Sequence, residues 1–227
     1  AQILAGNGER GFSGDGGQAS SAKLNCPLAV FGAELGGFYI AASGNFRIRK
    51  VSSSGVITTI AGNGQINEGA DGSVANQTGI GRPISVAQDK LFSVFFATNS
   101  GKVRWVNPRG KLEVYSAAND GYIHHHFGKP VHVVFGEKER PIIVDRDKSE
   151  ISIFNGINQK SQLLLGPSSQ NEAKGLLALG ATPMERPTRL AYDALLKRYF
   201  ILTASGRAYM WDHVNEKSNM RLIELEN

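Results

Sequence analysis

The 227 residues are 41% hydrophobic, with 25 Lys+Arg against 20 Asp+Glu and a net charge of +5. That length and apolar content suffice for one large domain or two small ones and exclude a disordered chain. The 27 glycines stand well above the usual ~7% but without collagen's three-residue period, and no apolar stretch approaches the ~20 residues of a membrane helix.

Cys26 is the single cysteine, so an intrachain disulfide and a multi-cysteine zinc site are both ruled out. The lack of disulfides favours an intracellular or organellar compartment. The positive charge permits an anionic partner without requiring one. Residues 1–6 lack a basic segment followed by an apolar one, as expected of an excised piece or of a chain whose targeting segment has been removed.

The first feature along the chain is the glycine-rich loop Gly6-Asn7-Gly8-Glu9-Arg10-Gly11-Phe12-Ser13-Gly14-Asp15-Gly16. It returns at a shift of 56 as Gly62-Asn63-Gly64 through Asp71-Gly72, with eight identities in 23 aligned positions between 5–27 and 61–83. Pro27 then opens a series of short apolar or alternating runs at 28–30, 38–40, 47–51 and 56–60. After Pro83 the same order recurs at 84–86, 94–96, 102–106 and 112–115. Fainter copies follow Pro130, at 131–133, 142–144, 150–154 and 163–165, and Pro187, at 188–190, 199–201, 207–211 and 222–225. Residues 172–179 read as one or two helical turns in the loop before the fourth copy.

Four strands bounded by turn formers, repeated at a period near 50, predict an all-β fold, a β-propeller of four-stranded antiparallel blades. Four blade units are expected within a single propeller region 1–227, at about 5–60, 61–116, 117–166 and 167–227. Gln2-Ile3-Leu4 precedes the first loop as Thr58-Thr59-Ile60 precedes the second, so residues 1–4 are expected to be the last strand of a preceding blade. The four units would then be part of a longer propeller; the alternative is a closed four-bladed ring with residues 1–4 as its clasp.

Ala5-Gly6-Asn7-Gly8, Gly11-Phe12-Ser13-Gly14-Asp15-Gly16-Gly17, Leu24-Asn25, Pro27, Phe38-Tyr39-Ile40-Ala41 and Arg47-Ile48-Arg49-Lys50-Val51 together resemble the NHL-repeat consensus. The resemblance is close over 5–62, weaker over 61–117 and an outline beyond. It implies a propeller, commonly of six blades, and a binding role, in some members for RNA through a basic face. Two departures stand out. The acidic residue usual after the Tyr-Ile-Ala run is replaced by Ala42 and Thr98, and the third unit lacks the glycine loop.

Gly6-x-Gly8-x-x-Gly11 matches a dinucleotide fingerprint only as a pattern, since no helix is expected to open at its end. Turn chemistry accounts for it instead, with glycines at positive φ and Asp15 and Asp71 bonded within their own loops. No dinucleotide or other cofactor, and no membrane insertion, is expected. His124, His126 and His132 are the candidate metal ligands, although the first two fall in a loop. Arg47, Arg49, Lys50, Lys102, Arg104 and Trp105 are the candidate binding residues, a basic rim with an aromatic to stack a base. A solvated strand face is the plainer alternative. Asn76-Gln77-Thr78 is a glycosylation sequon, and Cys26 is expected to be packed inside.

No catalytic constellation is expected, and the leading functional expectation is a scaffold that binds a protein. RNA binding along the basic rim is the second reading. A metal-dependent lyase or hydrolase with its site in the central channel is the third.

Overall fold

Proline followed by alternating apolar residues builds the first strand of every repeat. The computed structural model describes residues 2–116, 130–136, 140–153, 162–165, 186–214 and 217–223. These hold four antiparallel sheets whose four strands run in sequence order. The first is β1 (Pro27–Gly32), β2 (Phe38–Ala42), β3 (Arg47–Val51) and β4 (Ile57–Ala61). The second is β5 (Pro83–Gln88), β6 (Val94–Thr98), β7 (Val103–Val106) and β8 (Leu112–Ser116). The third is β9 (Pro130–Phe135), β10 (Pro141–Asp145), β11 (Glu150–Ile153) and β12 (Gln162–Leu165). The fourth is β13 (Pro187–Asp193), β14 (Arg198–Thr203), β15 (Ala208–Val214) and β16 (Lys217–Ile223). The chain divides into two compact units, 1–117 and 118–227, each containing two sheets.

Three details differ from the sequence expectation or fall outside it. The last strand of the fourth sheet is Lys217–Ile223 rather than 222–225, because β16 pairs with β15 from Val214↔Lys217 onward and the ladder outweighs the local apolar run. Gln2, Ile3 and Leu4 lie outside the four sheets. Residues 172–179 lie outside the described residues.

The marker proline does the same work in all four sheets. It pairs with the last residue of the second strand: Pro27↔Ala42, Pro83↔Thr98, Pro130↔Asp145 and Pro187↔Thr203. Beyond each pair the register shifts by one residue, so Leu28, Ile84, Val131 and Thr188 are the extra residues of four equivalent bulges. Proline has no N–H for the ladder, and a bulge absorbs that gap while bending the strand.

In three of the four sheets the residue facing the proline also closes the next turn. Asp145 Oδ1 accepts from the backbone N–H of Asp147 at 3.1 Å and of Lys148 at 3.2 Å. Thr98 and Thr203 do the same work through hydroxyls, pairing with Ser100 and Ser205 at 2.7 and 2.9 Å. Ala42 has no such group; a 3-10 turn over Ser43–Asn45 follows it, and Asn45 Oδ1 accepts from Asn25 N–H at 2.9 Å.

Strand alternation gives each sheet two faces. In unit 1 the face carrying Tyr39, Ala41 and Ile48 packs against the face of the second sheet carrying Val86, Val94, Phe96, Val106 and Leu112. In unit 2 the equivalent pairing joins Ile142, Val144, Ile151 and Ile153 of the third sheet to Leu190, Tyr199, Ile201 and Trp211 of the fourth. Each aliphatic side chain so buried contributes roughly 1.5–3 kcal/mol.

Candidate functional site

The two glycine loops are docked by one set of backbone hydrogen bonds, used twice. Gly6 and Gly62 N–H donate to Ala19 and Ala75 O at 2.9 and 2.8 Å, and Gly16 and Gly72 N–H to Ile57 and Leu112 O at 2.8 Å in both cases. The loops thereby lie along β4 and β8 and cover the outer part of one sheet face. In the first repeat Ala19, Ala22 and Leu24 pack on Ile40, Val51 and Ile57. Gly62 has φ +90°, and a Cβ there would stand 2.1 Å from Phe46 O, so the second loop can leave β4 only through glycine.

Under each loop sits a buried arginine. Arg49 is 0% exposed and its Nη2 donates to Ser13 O at 3.1 Å and to Asp15 Oδ1 at 2.8 Å. Arg104, 1% exposed, donates from Nη2 to Gly69 O at 2.7 Å and to Asp71 Oδ1 at 3.4 Å. Asp15 and Asp71 therefore reach across to a strand rather than bonding within their loops. Asn7 and Asn63 hold the loop turns instead, accepting from Glu9 and Gln65 N–H at 3.0 and 2.9 Å. Burial pulls both guanidinium pKa values down, and the facing aspartates oppose that pull, aided for Arg104 by Glu68.

The remaining members of the expected basic rim also have intramolecular partners. Arg47 donates to Asn45 O at 2.9 Å and Asn63 O at 2.7 Å, with its guanidinium carbon 3.7 Å from the centre of the Phe12 ring. Lys102 pairs with Glu68, which also accepts from Ser100. Burial raises the Glu68 pKa, but these hydrogen bonds and the charges of Lys102 and Arg104 outweigh it and leave the carboxyl below its ordinary range. Lys50 Nζ lies 5.6 Å from the Tyr39 ring centre, and Trp105 stacks on Phe95 at 5.6 Å. Arg49 and Arg104 thus depart from the solvated strand face: the loops bury them, and their charge is spent on holding those loops.

Of the candidate metal ligands, His124 and His126 lie outside the described residues. His132 is on β9, and its Nδ1 accepts from Leu190 N–H of β13 at 3.3 Å. Burial, reinforced by the charge of Arg189, pushes its pKa down to about 4, which keeps the imidazole neutral and accepting. No group of three or more His, Cys, Asp or Glu able to hold a metal occurs among the described residues. Cys26 is exposed at φ +44° rather than packed inside, because it turns the chain into Pro27. Asn76 is exposed, within the 3-10 turn Ala75–Gln77. The loop carrying Gly6, Gly8 and Gly11 leads to another 3-10 turn, Ala19–Ser21. Among the described residues no helix is long and apolar enough to cross a membrane.

A different set of residues reaches solvent in register. Leu35, Leu91 and Leu195 each stand eight positions after the marker proline, at the tip of the turn joining the first two strands. They are 75%, 74% and 90% exposed. Phe92 and Leu196 stand beside the last two, 46% and 52% exposed. These turns are firmly built: Asp89 Oδ1 accepts from Ser93 N–H at 2.8 Å, and Asp193 Oδ1 from Leu195 and Leu196 N–H at 2.9 and 3.1 Å. In unit 1 the first turn is tied to the end of β5 through Glu34 N–H, which donates to Gln88 Oε1 at 3.1 Å. Turn tips favour polar residues. A leucine nonetheless recurs there in three repeats, standing out into solvent each time. The fixed spacing from proline was the available sequence signal.

No family profile matches the chain. No curated protein matches it in sequence. Its fold is similar to those of solved propellers. One is a catalytically inactive virginiamycin B lyase from Staphylococcus aureus with quinupristin, at 10% identity and a TM-score of 0.59, covering 91% of this chain and 60% of that one. Another is a gluconolactonase from Xanthomonas campestris, at 7% identity and a TM-score of 0.62, covering 88% and 62%. A third is a chain of a nidogen/laminin complex, at 14% identity and a TM-score of 0.59, covering 88% and 65%. The chain spans less than two thirds of the length of these structures. At such identities the likeness shows the fold, an all-β propeller of four-stranded antiparallel blades.

Proposed function

We propose that the chain is an NHL-like propeller module that binds a protein through the turns joining the first two strands of its blades, and that it works as a scaffold rather than an enzyme. The observation that carries this reading is the recurrence of Leu35, Leu91 and Leu195 at one repeat position, exposed on turns held by their own hydrogen bonds. Apolar side chains on rigid turns offer contact area that needs little ordering on binding. The NHL assignment rests on the paired glycine loops and their aspartate–arginine clamps. Fold likeness does not choose among functions, since a lyase, a gluconolactonase and a member of a protein complex are all similar in fold.

The test compares tagged wild-type chain with a Leu35→Ser, Leu91→Ser, Leu195→Ser variant recovered from its native cells. The reading predicts a discrete bound protein in the first and its loss in the second, at an unchanged melting temperature. The same protein bound equally by both, or RNA recovered in its place, would refute the reading. Retained RNA would favour the basic rim of Arg47, Lys50, Lys102 and Trp105.

A further inference from the structure

The two leucine turns of unit 1 are joined by one buried amide. Gln88, 4% exposed, ends β5 and immediately precedes Asp89, whose carboxylate closes the turn carrying Leu91 and Phe92. Its Oε1 accepts from the N–H of Glu34, the residue before Leu35, at 3.1 Å. Its Nε2 donates to the buried Tyr39 hydroxyl of β2 at 2.9 Å. The Leu35 turn is closed by its own backbone bonds, Ala33 N–H to Gly37 O at 3.1 Å and Gly36 N–H to Ala33 O at 3.0 Å. Each turn therefore has its shape without Gln88, and what the amide adds is the spacing between them. Packing alone does not call for it. In unit 2 Ile142 stands at the position of Tyr39 and Tyr192 at that of Gln88, and both join the hydrophobic cluster between the sheets. The leucines divide in the same way. Unit 1 carries one on each of its two turns, whereas the eighth residue after Pro130 is Lys138, and in unit 2 only the fourth sheet has a leucine there. The amide occurs where two leucine turns need aligning; aliphatic and aromatic packing serves where there is one.

Building on the reading of the turn leucines as a protein-binding site, we infer that Gln88 is its positioning residue: it fixes Leu35 against Leu91 and Phe92, so that one protein partner engages both turns of unit 1 together. The partner that fits presents a single apolar surface long enough to touch all three side chains. Gln88 itself is buried beneath them and acts only through the turns it joins. A fully bonded buried amide is rigid, because loosening it strands polar groups away from water. The two turns are thereby ordered before the partner arrives, and the freedom they would otherwise lose on binding is not subtracted from the affinity.

The test is the double variant Tyr39→Phe, Gln88→Met, which removes the amide and its buried partner together and so strands no buried side-chain polar group. Its fold is checked by circular dichroism and melting temperature, both expected to match wild type. Nitroxides at Leu35→Cys and Leu91→Cys in a Cys26→Ser chain then report the spread of distances between the turns, expected to widen about twofold in the double variant. Tagged chains with all three turn leucines intact are also recovered from native cells, and the protein bound by wild type is expected to fall about fivefold in the double variant. An unchanged spread of distances would overturn the inference. So would equal recovery of the same protein by both chains, which leaves the partner-binding reading standing. If wild type recovers no discrete protein, that reading fails and this one with it.

Discussion

The two glycine loops hold the same backbone path by different side-chain chemistry. Position for position, Phe12 of the first becomes Glu68 of the second, and Arg47 becomes Lys102. In the first, the Phe12 ring lies against the Arg47 guanidinium at 3.7 Å and the Arg49 guanidinium at 4.9 Å. In the second, the Glu68 carboxylate pairs with Lys102. The exchange is chemically coherent: a planar guanidinium stacks on a ring, whereas a compact ammonium needs a carboxylate. The central arginine and aspartate are kept in both. The clamp is therefore what the two glycine loops share, and the cover over it differs between them in both members at once. In unit 2 Ser152 and Tyr209 stand at the arginine positions. Near the second of these Tyr192, Tyr199 and Trp211 stack at 4.7 and 4.8 Å.

The strongest way to break the comparison is to remove the aspartates. Asp15→Ala leaves the buried Arg49 without its half-exposed counter-charge and is expected to cost about 2–3 kcal/mol. Asp71→Ala leaves Glu68 near Arg104 and should cost less, about 1–2 kcal/mol. Hydrogen exchange at the Gly16 and Gly72 amides, which donate to Ile57 and Leu112, reads each loop separately. Equal acceleration in the two variants would show that Glu68 gives no support.

Unit 2 has its own point of sensitivity at His132. An ordinary imidazole titrates near 6.5 and this one at about 4, so between those values the unfolded chain takes up a proton that the folded chain refuses. Stability should fall as pH drops through that window, by about 3 kcal/mol at its lower end. Exchange of the Leu190 amide reports it, and His132→Asn should flatten the dependence.

Smaller effects separate the two covers. The Glu68 carboxyl titrates below its ordinary 4.5 when folded, so its contribution is complete above that value and is lost as pH falls through the folded one. Loss of the Lys102 pair should loosen the second loop by about 1 kcal/mol, and high salt should do part of the same. The first loop has Phe12 in place of this pair, and its response to salt rests instead on Arg49–Asp15 at 2.8 Å and Lys23–Glu9 at 2.6 Å. Smallest is the exchange itself. Phe12→Glu and Arg47→Lys should each loosen the first loop, and the double variant should recover about 0.5–1 kcal/mol, measured as a coupling energy.

Much of this architecture was legible in the sequence. Proline, alternation and the 56-residue repeat placed nearly every strand, because a period-two pattern is a local property of the chain. The environment of Arg49 was not legible, since Arg47-Ile48-Arg49-Lys50-Val51 alternates like a half-solvated strand and its cover comes from a loop 34 residues earlier. A signal did exist: Asp15 and Arg49 recur together as Asp71 and Arg104, an opposite-charge pair repeated with its loop. β16 was misplaced for the converse reason, as Lys217-Ser218-Asn219 looks like loop and becomes strand only through its ladder to β15. The turn leucines went unnoticed because an apolar residue in a turn has no local explanation, and only the count from each proline reveals them.

The bulge after each proline has a consequence for how the repeat tolerates change. Leu28, Ile84, Val131 and Thr188 are each left over between two consecutive pairs, so they take up one step of the chain without changing which residues face each other beyond them. Deleting Leu28 would join Pro27↔Ala42 directly to Ala29↔Ala41 and straighten the strand, while Ala29 through Phe31 keep their partners and their faces. The ladder can thus spare this residue; what its loss would remove is the bend.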